Sequence, residues 1–78
     1  MKNLISKYSQ ALALYSAENK VDSREFLIWA AEGINPMEDW DKYTNEELIA
    51  ANLEWDEDNG GFSVENLSLQ IEAFAAGE

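Results

Sequence analysis

The sequence predicts a mainly α protein, a small single domain of three to four short helices. Apolar residues recur at spacings of three and four along much of the chain, which is the periodicity of amphipathic helices. Capping residues precede several of these segments, and residues that end helices follow them. Because 78 residues are too few to build two hydrophobic cores, we expect one domain over residues 1–78.

The first two helices are expected before residue 34. Residues 3–18 place apolar side chains along one helical stripe, namely Leu4, Ile5, Tyr8, Ala11, Leu12 and Tyr15. The pattern stops at residues 19–21, and Asp22 with Ser23 then provides a cap for the second helix. Gly33 predicts the end of that helix, because glycine is common just after the last helical residue.

A short turn and a third helix are expected next. The Asn-Pro pair at 35–36 predicts a single turn over residues 37–40, because proline suits the first position of a helix. Thr44 and Glu47 have the spacing of a capping box, in which each side chain bonds the backbone N–H of the other residue. The third helix should begin there and end in the acidic, glycine-containing loop 56–61.

The final segment allows two interpretations. Its apolar residues at 64, 67, 71 and 74 fit a helix, and Ser63 followed by Glu65 favours this interpretation as a helix start. The alternative is an α+β fold with a C-terminal β-hairpin. In that hairpin residues 53–55 would pair with residues 62–64 across the Asn-Gly turn at 59–60.

The charge of the chain is strongly one-sided. The net charge is −11, and residues 43–78 contain nine acidic side chains and no Lys or Arg. The first 42 residues hold five basic and seven acidic side chains, so they carry only about −2 of the total. A field of one sign repels nucleic acid and anionic membranes and attracts basic surfaces. We therefore expect a basic protein partner, without direct binding to nucleic acid or membrane.

The composition argues against an enzyme. The chain has no Cys and no His, which excludes thiol nucleophiles, disulfides, His-containing triads and ordinary zinc sites. No apolar run approaches the roughly 18 residues of a membrane span, and none has the length of a signal sequence. We expect a cytoplasmic binding protein without a cofactor, and the sequence leaves its oligomeric state open.

Seven carboxylates and one tryptophan are the candidate partner-binding residues. Glu47 and Glu54 are seven residues apart, as are Glu65 and Glu72, so the members of each pair share a helix face at an axial separation of about 10.5 Å. Three base steps along one DNA strand span about 10.2 Å, so such pairs can imitate part of a phosphate track. Trp40 has acidic neighbours and is a candidate exposed anchor, although burial in the core is the favoured interpretation for this residue. The candidates are Trp40, Glu47, Glu54, Asp56, Glu57, Asp58, Glu65 and Glu72.

Two other ligand classes fit the motifs poorly. The acidic loop 56–61 offers oxygen ligands for calcium, but an EF-hand register that starts at Asp56 places Leu67 where the twelfth position requires Glu. The Asp-Ser pair at 22–23 resembles the attachment motif of acyl carrier proteins, but Arg24 replaces the expected leucine. Helix capping explains Ser23 without a prosthetic group.

The segment Leu69-Gln70-Ile71-Glu72-Ala73-Phe74, followed by Gly77 and Glu78, resembles the Leu-Gln-Val-Glu-Ala-Phe ending of a small acidic type I anti-CRISPR protein. The segment Ser23-Arg24-Glu25-Phe26 is similar to a Ser-Lys-Asp-Glu-Phe segment upstream in the same family.

This resemblance implies a helical phage protein that inhibits a type I CRISPR effector complex. Such an inhibitor would act as a DNA mimic, binding the basic surface of a Cas protein that reads target DNA or its PAM. The alternative is a small acidic adaptor or antitoxin-like protein whose basic partner is unrelated to DNA. A third interpretation is that the acidic surface serves only to keep the protein soluble.

Overall fold

The computed structural model describes residues 2–77, which form four α-helices and one turn of 3₁₀-helix. Within these residues there is no β-strand, so the predicted mainly α domain is confirmed and the C-terminal hairpin is wrong. None of the helices in this part of the chain is long and apolar enough to cross a membrane. The elements are α1 (Lys2–Asn19), α2 (Ser23–Ile34), η1 (Trp40–Lys42), α3 (Asn45–Asp58) and α4 (Val64–Ala75).

Side-chain caps fix three helix starts where the sequence predicted them. Asp22 accepts a hydrogen bond of 2.9 Å from the backbone N–H of Glu25 at the start of α2. Thr44 Oγ1 accepts one of 3.1 Å from the N–H of Glu47, and Glu47 Oε1 accepts one of 2.8 Å from the N–H of Thr44. Ser63 caps α4 in the same way. Each cap satisfies a backbone donor that has no partner within its helix.

The hairpin is absent because the Asn-Gly pair ends a helix instead of joining two strands. Residues 53–55 belong to α3, and Asn59 is the C-cap of that helix. Gly60 and Gly61 then take φ values of 111° and 99°, a region in which glycine is favoured. Glycines of this kind redirect the chain after a helix as readily as they form a hairpin turn.

The helix α3 is longer than the sequence predicted. Asp56, Glu57 and Asp58 form its last turn, so the expectation that they lie in a loop is wrong. The backbone oxygen of Asp56 accepts a 2.7 Å hydrogen bond from Gly61, and Asn59 Nδ2 donates one of 2.8 Å to the oxygen of Trp55. These bonds satisfy carbonyl groups at the helix end and allow the acidic residues to remain helical.

The predicted boundaries after α2 also need correction. The helix continues through Gly33 to Ile34, and the N–H of Asn35 bonds the oxygen of Ala31 at 2.9 Å. The short helical turn lies at Trp40–Lys42 instead of residues 37–40. Asn35 is the C-cap of α2, and its Oδ1 accepts a 3.1 Å hydrogen bond from the N–H of Met37, so this asparagine forms a local turn and does not begin a new helix.

Helix α1 packs against both α3 and α4, while α2 packs mainly against α3. Helices α3 and α4 are neighbours in sequence but make no extensive packing contact with each other. Asn52 of α3 links this helix to α2 from within the core. Its Nδ2 donates hydrogen bonds to the backbone oxygens of Leu48, at 2.9 Å, and of Leu27 in α2, at 3.4 Å. The buried apolar residues are Tyr8, Ala11, Leu12, Phe26, Leu27, Ala31, Trp40, Leu48, Ile49, Leu53, Leu67 and Ile71.

Candidate partner-binding surface

Three carboxylates lie on the outer side of α3. Glu47 and Glu54 are seven residues apart, and Asp58 follows four residues later, so the three point in nearly the same direction around the helix. All three are exposed, and helical geometry places them opposite the buried side that contains Ile49 and Asn52. We call Glu47, Glu54 and Asp58 the α3 acidic face.

Glu65 and Glu72 form a second pair on α4. They share the exposed side of that helix, opposite the buried Leu67 and Ile71. Ser68 Oγ donates a long hydrogen bond of 3.4 Å to Glu72 Oε2. Helices α3 and α4 do not pack extensively together. The predicted carboxylates therefore form two groups, one on each helix.

Two of the candidate carboxylates also have structural roles. Glu47 completes the capping box at the start of α3. Glu57 Oε2 accepts a 2.8 Å hydrogen bond from the N–H of Phe62, which ties the end of α3 to the connection that leads into α4. Part of their hydrogen-bonding capacity is therefore used within the chain.

Asp56 points away from the α3 acidic face and is half-buried. Burial raises the pKa of its carboxyl group, and the negative charge of Glu57 raises it further. Asp56 also acts on Tyr8 in α1, whose pKa is raised first by burial and then by the Asp56 charge. Asp56 is therefore a partly desolvated carboxylate at the junction of α1 and α3, not part of an exposed acidic loop.

Trp40 is buried, so the hypothesis of an exposed Trp40 anchor is wrong and the favoured interpretation of core burial is confirmed. Only 8% of its surface is exposed, and its ring lies 4.8 Å from that of Tyr43. Its Nε1 donates a 2.9 Å hydrogen bond to the backbone oxygen of Asn35. With its polar atom satisfied, the indole can be buried at little cost.

Trp55 is the aromatic residue that the sequence reasoning missed as a surface feature. It is 49% exposed in the last turns of α3, between Glu54 and Asp56 in sequence. It lies beside the end of α2, where Gly33 has no side chain to cover it, and a Cβ added at Gly33 would meet no atom within 4 Å. A glycine close to the end of α2 is the sequence signal for this gap.

Two adjoining grooves flank Trp55, and we call them the Trp55 grooves. The first has a volume of about 520 Å³, and its lining includes Trp29, Ala30, Ile34 and Trp55, with the carboxylates of Glu32 and Asp56. The second, of about 340 Å³, shares Ile34 and Trp55 with the first and adds Glu54 and Asp58. Neither groove is lined by a Lys or Arg side chain of the described chain.

No family model matches this chain, and no curated protein or solved structure is significantly similar to it. Of the residues proposed from sequence, the structure places Glu47, Glu54 and Asp58 together and leaves Trp40 inside the core.

The described carboxylates do not converge on a cation site. Across residues 2–77, no group of three or more acidic side chains has an arrangement that could hold a metal ion. Asp56, Glu57 and Asp58 follow one another in a helix, so their side chains diverge by about 100° per residue. The loop that the calcium alternative required is thus replaced by a helical turn.

Proposed function

We propose that this protein binds and blocks a basic, nucleic-acid-binding surface of a protein partner, with the α3 acidic face as its main contact. The observation that carries the proposal is the exposure of Glu47, Glu54 and Asp58 on one side of a single helix. No Lys or Arg follows Lys42 in the sequence, so no cation on α3 or α4 offsets these charges. Such a surface attracts a cationic groove.

The spacing of the α3 acidic face supports competition with a phosphate backbone. Glu47 and Asp58 are eleven residues apart in the sequence. On a helix this separation spans about 16.5 Å, which is close to five base steps along one DNA strand, about 17 Å. Three carboxylates over this length are fewer than the phosphates they replace, so the mimicry is partial. Part of the affinity should therefore come from apolar contacts.

The partner that we propose is a type I CRISPR effector complex. The support for it is the resemblance of residues 69–74, which lie in α4 and include Glu72, to an anti-CRISPR family. The basic surfaces of a CRISPR effector that contact target DNA are suited to an acidic helix of this kind. A second candidate function, an adaptor or antitoxin-like protein for a basic partner unrelated to DNA, is supported by the exposed Trp55.

A competition experiment with a purified type I effector complex tests this proposal. The protein is titrated into the complex at several salt concentrations, with and without duplex DNA that contains target and PAM. We expect binding that weakens as salt increases and that the DNA displaces. Binding that the DNA does not displace would favour the adaptor function. Absence of binding, or an affinity independent of salt, would contradict the proposal.

A charge-matched pair of variants locates the contact. The first variant combines Glu47→Gln, Glu54→Gln and Asp58→Asn, which neutralises the α3 acidic face. The control combines Glu18→Gln, Glu25→Gln and Asp41→Asn, which changes the net charge equally at exposed positions elsewhere. We expect the first variant to lose about tenfold or more in affinity and the control to lose less than about threefold. Equal losses would show that only net charge matters.

A further inference from the structure

We propose that the Trp55 grooves bind a peptide segment of a protein partner in which apolar side chains alternate with Lys or Arg. This site goes beyond the proposed function, because such a segment need not come from a protein that handles nucleic acid. It shares Glu54 and Asp58 with the α3 acidic face but does not involve Glu47.

The apolar part of the site is centred on the indole of Trp55. About half of this side chain is exposed, and Trp29, Ala30 and Ile34 beside it are only partly buried. Trp29 is held in place by ring contacts with Phe26 at 5.9 Å and Phe74 at 5.3 Å, so this wall of the groove is anchored to the core. A half-exposed tryptophan beside a fixed apolar wall is typical of residues that dominate binding energy at interfaces.

The grooves have the shape of an extended site. Their volumes of about 520 and 340 Å³ each lie within the usual range for ligand clefts, roughly 300–1,000 Å³. Because both are lined by Ile34 and Trp55, they lie side by side, with these two residues between them. A peptide that crosses this ridge can place one apolar side chain in each groove.

The charge around the grooves determines the second requirement for the occupant. Glu32 and Asp56 line the first groove, and Glu54 and Asp58 line the second, without a basic side chain in either lining. Charge complementarity therefore selects Lys or Arg next to the apolar anchors. It also disfavours a second copy of this chain as the occupant, because two copies would bring their carboxylates together.

Asp56 is a specific position at which a cation of the occupant would be favoured. It is half-buried, and the ion pair formed among the described side chains joins Lys42 to Asp39 at 3.6 Å, not to Asp56. A desolvated carboxylate without a cation in contact is unfavourable in the free protein. A Lys or Arg from the occupant would compensate the Asp56 charge when it enters the first groove.

Binding of a synthetic peptide tests the proposal directly. The probe is a peptide of about fourteen residues in which leucine alternates with lysine, titrated by calorimetry at about 0.15 M salt. One control peptide replaces the leucines with serine and another replaces the lysines with glutamate. We expect the serine–lysine peptide to bind at least about tenfold more weakly and the leucine–glutamate peptide not to bind.

Two substitutions assign the binding to the Trp55 grooves. Trp55→Ala should weaken the leucine–lysine peptide by about tenfold or more, whereas Leu14→Ala, at a similarly exposed position on α1, should change its affinity less than about twofold. Gly33→Leu provides a variant that leaves the core untouched, because a side chain there enters open space beside Trp55. It should block the peptide to a similar extent without lowering the melting temperature.

Several results would overturn the proposal. Unchanged peptide affinity in both Trp55→Ala and Gly33→Leu would place the binding elsewhere. Equal affinity for the serine–lysine and leucine–lysine peptides would mean that the binding is charge attraction alone. A dimer in sedimentation that Trp55→Ala dissociates would assign the grooves to a second copy. The peptide titration contains no CRISPR component and Glu47→Gln should not affect it, so its failure is distinguishable from failure of the proposed function.

Discussion

Trp40 Nε1 donates a 2.9 Å hydrogen bond to the backbone oxygen of Asn35, five residues earlier. This bond closes the connection between α2 and η1 and places the indole against Tyr43, with rings 4.8 Å apart. The acidic residues around Trp40 in sequence point outward, whereas the ring itself lies inside. Trp55 shows the opposite arrangement, since it follows the apolar pattern of α3 and yet is half-exposed.

We expect Trp40→Phe to destabilise the protein by about 1–3 kcal/mol. The substitution removes the shorter of the two hydrogen bonds to the oxygen of Asn35, leaving the 3.4 Å bond from the N–H of Glu38, and it removes part of a buried ring. Urea unfolding monitored by circular dichroism measures the change in the free energy of unfolding. Trp55→Phe is the matched control and should change it by less than about 0.5 kcal/mol, because that side chain is half-exposed. Equal effects at the two positions would contradict the assignment.

Replacing Ser16 with alanine should stabilise the protein by about 1 kcal/mol. Ser16 is 3% exposed in α1, and its Oγ has no hydrogen-bond partner among the described residues. Removing a buried hydroxyl without a partner relieves its desolvation, and alanine also has the higher helix propensity. Ser9→Ala, at an exposed position of the same helix, provides the propensity effect alone, about 0.5 kcal/mol or less. Thermal unfolding measures the stability of both variants. Equal gains in stability would contradict the prediction.

The stability of the protein should increase as pH falls from neutral, and Asp56 should contribute to this increase. Its pKa is raised in the folded state, so the folded protein binds this proton more tightly than the unfolded chain does. The stabilisation is therefore complete at pH values below the ordinary aspartate range and is lost as pH rises through the raised pKa.

Asp56→Asn removes this titration and tests the assignment. We expect a higher melting temperature than that of the wild type at pH 7 and a smaller gain on acidification. Asp58→Asn is the control, since it removes one charge from the same helical turn at an exposed position. Melting curves recorded at several pH values compare the two variants. Identical profiles would show that net charge, and not burial of Asp56, causes the pH dependence.

Thr44→Ala should cost about 1 kcal/mol by removing the hydroxyl that caps α3. Glu47→Gln should cost less than about 0.5 kcal/mol, because a glutamine oxygen can still accept the hydrogen bond from the N–H of Thr44. Chemical unfolding measures both. A large cost for Glu47→Gln would mean that its charge, and not its hydrogen bond, stabilises the helix start. The glutamine variant thus removes the charge of Glu47 while α3 stays folded.

The positions of the helices could be predicted because their signals are local. Asp22, Thr44 and Ser63 each cap the helix that follows, and such caps depend only on a few neighbouring residues. The sequence pattern places the acidic turn 56–58 in a loop because this turn leads directly into the Asn-Gly-Gly segment 59–61, a strong loop signal. The glycines after Asn59 determine where α3 ends, and the acidic composition does not.

The exposure of the tryptophans could not be predicted from local pattern. Trp55 lies two helical turns after Leu48 and points in nearly the same direction, yet Leu48 is fully buried. The difference arises because Trp55 lies where the neighbouring α2 ends in Gly33 and Ile34. Burial of Trp40 likewise depends on how the chain folds back after α2, which its acidic sequence neighbours do not indicate.

The absence of lysine after Lys42 also determines which reagents can report on this surface. Amine-reactive cross-linkers have no attachment point on α3 or α4, so they cannot join either helix directly to a partner. Carbodiimide coupling is the suitable chemistry, since it joins a carboxylate such as Glu54 or Asp58 directly to a lysine of the partner. For the same reason, enzymes that acetylate or ubiquitinate lysine side chains find no acceptor on these two helices.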